Sequence, residues 1–309
     1  MFDGYSKVLS GSVHIGYVVN RYEFDNKKNQ FISTYFIKTN ELGGNLTESL
    51  KAYATKDMKP ISYQYTTLLG KQTKTVDAKF EKNKILATIT DGTKIEKVNK
   101  VMDKGVFLST FLAYTMLKSP KGFQVDTQYN YEAVAEEDAL ITKGIAIIKG
   151  QEMYNGNKVY KVINEFKDSK FVSYVNERGE VYATKSPAQS ISTELVAQPS
   201  EATNNMSIPI PLLKALFGEV PTGQNNELSK LRNAGAPNIA PQATTDTNIT
   251  PETVASPTPI PGKQIGIPKN KGLQLKGGTK NPPAAGSTPA QDPENNNQEA
   301  KKFKPKTDE

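Results

Sequence analysis

Aromatic side chains all but stop at Phe217. Of the 26 phenylalanines and tyrosines, 25 lie at or before that residue and only Phe303 lies beyond it, while 13 of the 19 prolines fall between Pro221 and Pro305. A stretch poor in aromatics and rich in Pro, Asn, Thr, Gly and Lys buries too little apolar surface to offset the entropy of ordering it. The sequence therefore predicts one folded domain over residues 1–217 and a disordered tail over 218–309. Within the tail, residues 257–261 read as a polyproline-like stretch, 263–280 hold five lysines and no acid, and 301–306 form a last basic run. A flexible chain of about 90 residues spans roughly 50 Å, which suits a tether to an envelope protein or a cell-wall polymer as well as it suits a solubilising tail.

Strand patterns dominate the aromatic part. Val13, Ile15, Tyr17 and Val19 alternate with His14, Gly16 and Val18, and the apolar set changes phase at Arg21 to continue through Tyr22 and Phe24. Such a slip predicts a β-bulge at Arg21. Further strands are predicted at 31–39, 46–54, 61–69, 73–80 and 85–89, separated by the short turns Gly43-Gly44-Asn45, Gly70 and Glu81-Lys82-Asn83, with Asp91-Gly92 as a hairpin dipeptide. Loops this short imply antiparallel neighbours. Residues 106–117 break the pattern with twelve residues that are apolar nearly all round, preceded by Asp103 and followed by Ser119-Pro120, and they predict a short helix. A helix without a polar face needs cover on most sides. Strands resume at 129–135, 139–148, 158–166, 171–175, 181–184 and 191–197, and residues 206–217 predict a second short helix laying Leu212, Leu213, Leu216 and Phe217 on the domain. The expected fold is mainly β: ten or eleven strands in a curled antiparallel sheet, or half-barrel, wrapped around the 106–117 helix.

Several function classes are excluded or left without a motif. The net charge of +7 divides into +4 from residues 1–220 and +3 from the remainder, short of the concentrated basic face of a nucleic-acid binder. There is no cysteine, hence no disulfide, thiolate metal site or cysteine nucleophile. No apolar run reaches 18 residues, so no transmembrane segment is expected. The first five residues lack a basic and an apolar leader region, which predicts a cytoplasmic protein unless an export signal has been removed. His14 is the only histidine, and one histidine without a recognisable partner argues against a catalytic triad. Glu136-Glu137-Asp138 is the densest acidic cluster, but adjacent acids on a strand end point to opposite faces, which suits solvation better than a metal cage. The glycines form no phosphate-cradling motif, and no cofactor motif is present. The sequence predicts a protein that is not an enzyme.

Five features recur in one order. Gly11-Ser12-Val13-His14-Ile15-Gly16 opens a strand, Lys59-Pro60-Ile61-Ser62-Tyr63-Gln64-Tyr65 starts another, and the hairpin over 73–90 ends at Asp91-Gly92. The apolar stretch containing Ser109 follows, and Asn155-Gly156 then precedes an alternating run to Val162. In this order the chain resembles a bacterial cell-envelope family of unknown function within the lipoprotein-carrier-like (LolA/LolB-like) half-barrels, over residues 10–197. The resemblance implies a periplasmic or cell-envelope setting and an apolar concavity that holds a lipid or acylated ligand. Tyr17, Tyr35, Tyr65, Phe107, Phe111, Leu112 and Met116 are the residues expected to line such a cavity. The alternative is an envelope scaffold or interaction protein with a packed core.

Overall fold

Among the described residues, fifteen strands form one sheet. A computed structural model describes residues 1–204 and 206–235; the expected features of the tail beyond residue 235 lie outside the described residues. The first eight strands run as an antiparallel meander: β1 (Phe2–Ser10), β2 (Val13–Asp25), β3 (Gln30–Thr39), β4 (Leu46–Thr55), β5 (Pro60–Leu69), β6 (Gln72–Glu81), β7 (Lys84–Asp91) and β8 (Lys94–Val101). The short β9 (Phe107–Leu108) runs parallel to β10 (Gln128–Ala135). A second meander then follows through β11 (Leu140–Tyr154), β12 (Asn157–Phe166), β13 (Ser169–Val175), β14 (Val181–Ser186) and β15 (Ile191–Val196). β15 pairs antiparallel with β1, so the order is β8 to β1, then β15 back to β9.

This order forces the sheet to curl. Fifteen strands laid flat would separate β8 from β9 by roughly 65 Å. Yet these two edges are joined by residues 102–106 alone, which reach about 20 Å when fully extended. Cross-strand register then sets the concave face: Tyr35, Leu50, Tyr65, Val76 and Ile89 form one row, and Ser33, Ala52, Tyr63, Ala78, Ala87 and Val98 form the next. Across the concavity these rows pack on Leu108, Phe111, Val134 and Ala139.

The apolar stretch 106–117 is not one helix. Phe107–Leu108 is strand, Ser109–Phe111 is a 3-10 turn, and only Leu112–Lys118 is α-helix (α1). The physical reason is Glu136, whose carboxylate accepts from Ser109 Oγ (2.5 Å) and the Thr110 amide (3.1 Å) and so pins the chain before a longer helix forms.

The expected bulge at Arg21 is also corrected. β2 pairs with β3 without interruption through Arg21, and the register shift lies against β1, between Val8 and Leu9, leaving Ile15 as the extra residue. The change of apolar phase has another cause: β2 is covered on both faces. Tyr17, Val19 and Phe36 pack with Tyr5 beneath Leu213 and Phe217 on the convex side, whereas Tyr22 packs into the concavity against Phe111 and Tyr114. Arg21 is buried on the convex side beside Asp3 (3.7 Å) and donates to Phe217 O (3.3 Å).

That convex cover is the C-terminal segment, with α2 (Pro199–Thr203), α3 (Ile210–Phe217) and α4 (Glu227–Gly235). The sequence boundary at Phe217 therefore moves outward. Tyr5 Oη donates to Pro221 O (3.0 Å), the Asn225 amide to Asp3 Oδ1 (3.1 Å) and Ser229 Oγ to Ala197 O (2.7 Å). Asn226 is fully buried and accepts from the Ser229 amide (3.0 Å), capping α4. Composition missed this stretch because polar bonds, not aromatic burial, hold it. Among the described residues no helix is long and apolar enough to cross a membrane.

Candidate functional site

The turn between β13 and β14 carries the charged group that the surrounding surface is built around. Asn176 Oδ1 accepts from the amides of Arg178 (3.0 Å) and Glu180 (2.9 Å), closing a tight Asx-type turn. Gly179 sits at φ +83°, a backbone conformation that favours glycine, and a Cβ there would displace Leu117 Cδ1, 2.7 Å away. Glu180 is buried and accepts from Asn176 Nδ2 (3.1 Å) and from the Glu227 amide (3.1 Å) at the start of α4. Arg178, half exposed, is steered by Glu227 Oε2 at 3.1 Å and Glu180 Oε1 at 3.9 Å. Two segments distant in sequence, the 176–180 turn and the start of α4, thus fix one guanidinium.

Arg178 lines two half-open clefts. One, about 410 Å³, is polar and includes Lys158, Tyr160, Asn176, Tyr182, Glu227 and Leu231. The other, about 140 Å³, is aromatic, with Phe2, Tyr22, Phe24, Phe31 and Tyr114 on its walls and Glu180 beside them. Its rings pack in tilted pairs, Phe24–Phe31 at 4.8 Å and Tyr22–Tyr114 at 5.0 Å between centroids. Burial pushes the Tyr182 phenol up to about 12, with the nearby Glu180 charge adding to the rise and the Asn176 hydrogen bond opposing it. Burial likewise raises Tyr22 and Tyr114. All three phenols stay neutral and protonated near pH 7. The lining contains no serine, threonine or histidine; it offers the cations of Arg178 and Lys158, hydroxyl groups and ring faces beside the carboxylates of Glu23, Glu177, Glu180 and Glu227.

A second polar cluster lies inside the concavity. Besides its bonds to Ser109 and Thr110, Glu136 has its carboxyl pushed up to about 7 by burial, those two hydrogen bonds working against the rise. Thr110 is tied to the sheet by Ser33 (2.7 Å) and Tyr22 (3.3 Å). Glu48, raised by burial, is hydrogen-bonded by Tyr35 and Tyr65. The Tyr63 hydroxyl is buried without a protein hydrogen-bond partner. Glu137 and Asp138 both bond Lys167. Among the described residues no group of three His, Cys, Asp or Glu side chains is placed to hold a metal. The cluster ties the 109–111 turn to the sheet.

The residues expected to line a cavity do not all meet. Tyr65 and Phe111 share the concave cluster with Tyr35 against it. Tyr17 lies on the convex side and donates to Ser207 O (3.2 Å). Phe107 packs on Tyr131, with ring centroids 5.5 Å apart, while Leu112 and Met116 pack with Ile148, Val162 and Val175. His14 Nε2 hydrogen-bonds Gly16 O at 2.8 Å. The sequence marks Arg178-Gly179 as a turn between strands and not as a site. The signal available was Asn176-Glu177-Arg178-Gly179-Glu180, a charged turn, but its helical partner Glu227 follows the aromatic break.

Among solved structures, the chain is similar to a β-barrel-like protein of the domain of unknown function DUF1849 from Brucella abortus, with a TM-score of 0.46 and 11% identity over 63% of this chain and 96% of that one. No family model and no curated protein matches the chain.

Proposed function

We propose that the chain is a non-catalytic binding module for an amphiphile with an anionic head and an apolar or acylated body, the head paired with Arg178. The observation that carries this reading is the position of Arg178 between an aromatic cleft and a polar one. Ring faces beside a guanidinium suit a ligand that is apolar at one end and charged at the other. Lys158 supplies a further donor to the head. The reading moves the ligand from the middle of the concavity, where Leu108 and Phe111 are fully buried against the sheet, to the Arg178 clefts. A cell-envelope setting belongs to the same proposal and rests on the half-barrel resemblance.

Dodecyl phosphate titrated into the full chain, followed by calorimetry below its micelle concentration, tests it. Saturable binding is expected. Arg178→Gln removes charge-assisted bonds and should weaken it about tenfold to a hundredfold. Absence of binding, or equal binding by the variant, sinks the proposal and favours the packed-core scaffold.

A further inference from the structure

Sheet topology gathers exposed apolar side chains at the end opposite the Arg178 turn. The turns β1–β2, β3–β4, β5–β6 and β14–β15 lie together there: Gly11 N donates to Ser190 O (2.8 Å), Gly16 pairs with Thr39, and Leu46 with Leu69. Val13, Leu42, Leu68 and Leu69 stand exposed on these turns, Leu42 at 65%. The segment entering α3 reaches the same end, because Lys38 at the close of β3 donates to Ser207 O (3.1 Å) and Ser207 Oγ (2.8 Å). Only three residues on, Ile210 is 41% exposed, and Leu212 is 43% exposed although Leu213 and Phe217 of the same helix are buried. Prolines 209 and 211 flank Ile210 and limit the entropy lost on docking it. Exposed Lys71 and Lys214 and part-buried Lys38 and Lys74 accompany these apolar groups, against the acids Glu41 and Asp91.

We propose that this end of the sheet docks on an anionic lipid bilayer, with Leu42, Ile210 and Leu212 entering the headgroup region and the lysines facing lipid phosphates. Two occupants compete for such a surface, a bilayer and a second copy of the chain. A two-fold contact would set this net basic surface against a copy of itself, whereas anionic lipid neutralises it. Apolar groups spread over a turn and the start of α3 also suit a soft headgroup layer better than a rigid partner face.

The test is co-sedimentation of the full chain with vesicles of equimolar phosphatidylglycerol and phosphatidylcholine, against vesicles of phosphatidylcholine alone. Binding to the anionic vesicles is expected, with release as salt rises. Ile210→Ser/Leu212→Ser should lower the partition coefficient about tenfold or more. Lys71→Glu/Lys214→Glu tests the charge half of the idea should the serine variant not fold, and is expected to lose binding to the anionic vesicles. No association, or binding unchanged in either folded variant, overturns the proposal. So does a Leu212-dependent dimer in light scattering, which would give the surface to a second copy.

Discussion

Glu136 is a carboxyl group placed where charge is expensive. It faces Ser109 and Thr110 from the turn, Glu137 from its own strand end, and Tyr22, Tyr35 and Tyr63 from the concave face, with no cation hydrogen-bonded to it. Its folded pKa of about 7 stands above the ordinary 4.5. The native state therefore keeps a proton between those two values that the unfolded chain releases, and stability falls as pH rises through that window. Above about pH 7 the full penalty for burying the carboxylate is present; below about 4.5 it is absent. Glu136→Gln retains the acceptor for the Thr110 amide and offers an amide to Ser109 Oγ, but cannot ionise. The variant should match the parent near pH 4.5 and exceed it at pH 8 by on the order of 1–3 kcal/mol. Urea unfolding at both values measures this; a variant less stable at pH 8 would show that the carboxylate is stabilising where it sits.

At the scale of elements, α3 shows how one short helix is split between two tasks. Leu213 and Phe217 fill the convex core over Tyr5, Tyr17, Val19 and Phe36, while Leu212 faces out. Leu213→Ala should cost about 2–5 kcal/mol and Leu212→Ala within about 0.5 kcal/mol, so chemical denaturation of the pair reports which side is buried. Equal costs would place the helix differently. What the sequence disclosed follows the same logic of faces. Strands with one buried face, such as β6 with Val76 and Ala78 inward and Thr75 and Asp77 outward, alternate and were legible. β1 was not, since it is buried on both faces over Phe2–Ser6, and neither was β8, a charged edge strand with only Val98 buried. The 106–117 stretch misled because its apolar character is real while its backbone is decided by Glu136, about thirty residues away. The Arg178 site is hidden in the sequence for the same reason: the charged turn is local, but its partner Glu227 lies on α4, brought there by contacts that no local spacing reveals.

Among the described residues the two meanders of the sheet meet at β1 and β15, and that seam is where the segment 218–235 is fastened. Residues 218–235 add no large aromatic burial. They supply partners to polar groups that are otherwise shut away from water: Asp3, only 1% exposed, receives the Asn225 amide, Tyr5 Oη loses its acceptor without Pro221, and the Glu180 carboxylate loses the Glu227 amide. Each buried polar group left unpaired costs about 1–3 kcal/mol. A chain ending at Phe217, where the aromatic residues stop, should therefore unfold well below the full chain, by roughly 5–15 °C for a domain of this size. A chain ending at Gly235 keeps every one of these bonds and should melt within about 2 °C of the full chain. Circular dichroism melts of the three forms decide between a domain bounded by its aromatics and one bounded by its hydrogen bonds. Equal midpoints for the forms ending at Phe217 and Gly235 would make the segment a passenger. The expected order would make it part of the fold and, through Glu227 and Leu231 in the polar cleft, part of the binding site: dodecyl phosphate should then bind the form ending at Gly235 and be lost from the form ending at Phe217 at temperatures where both are folded.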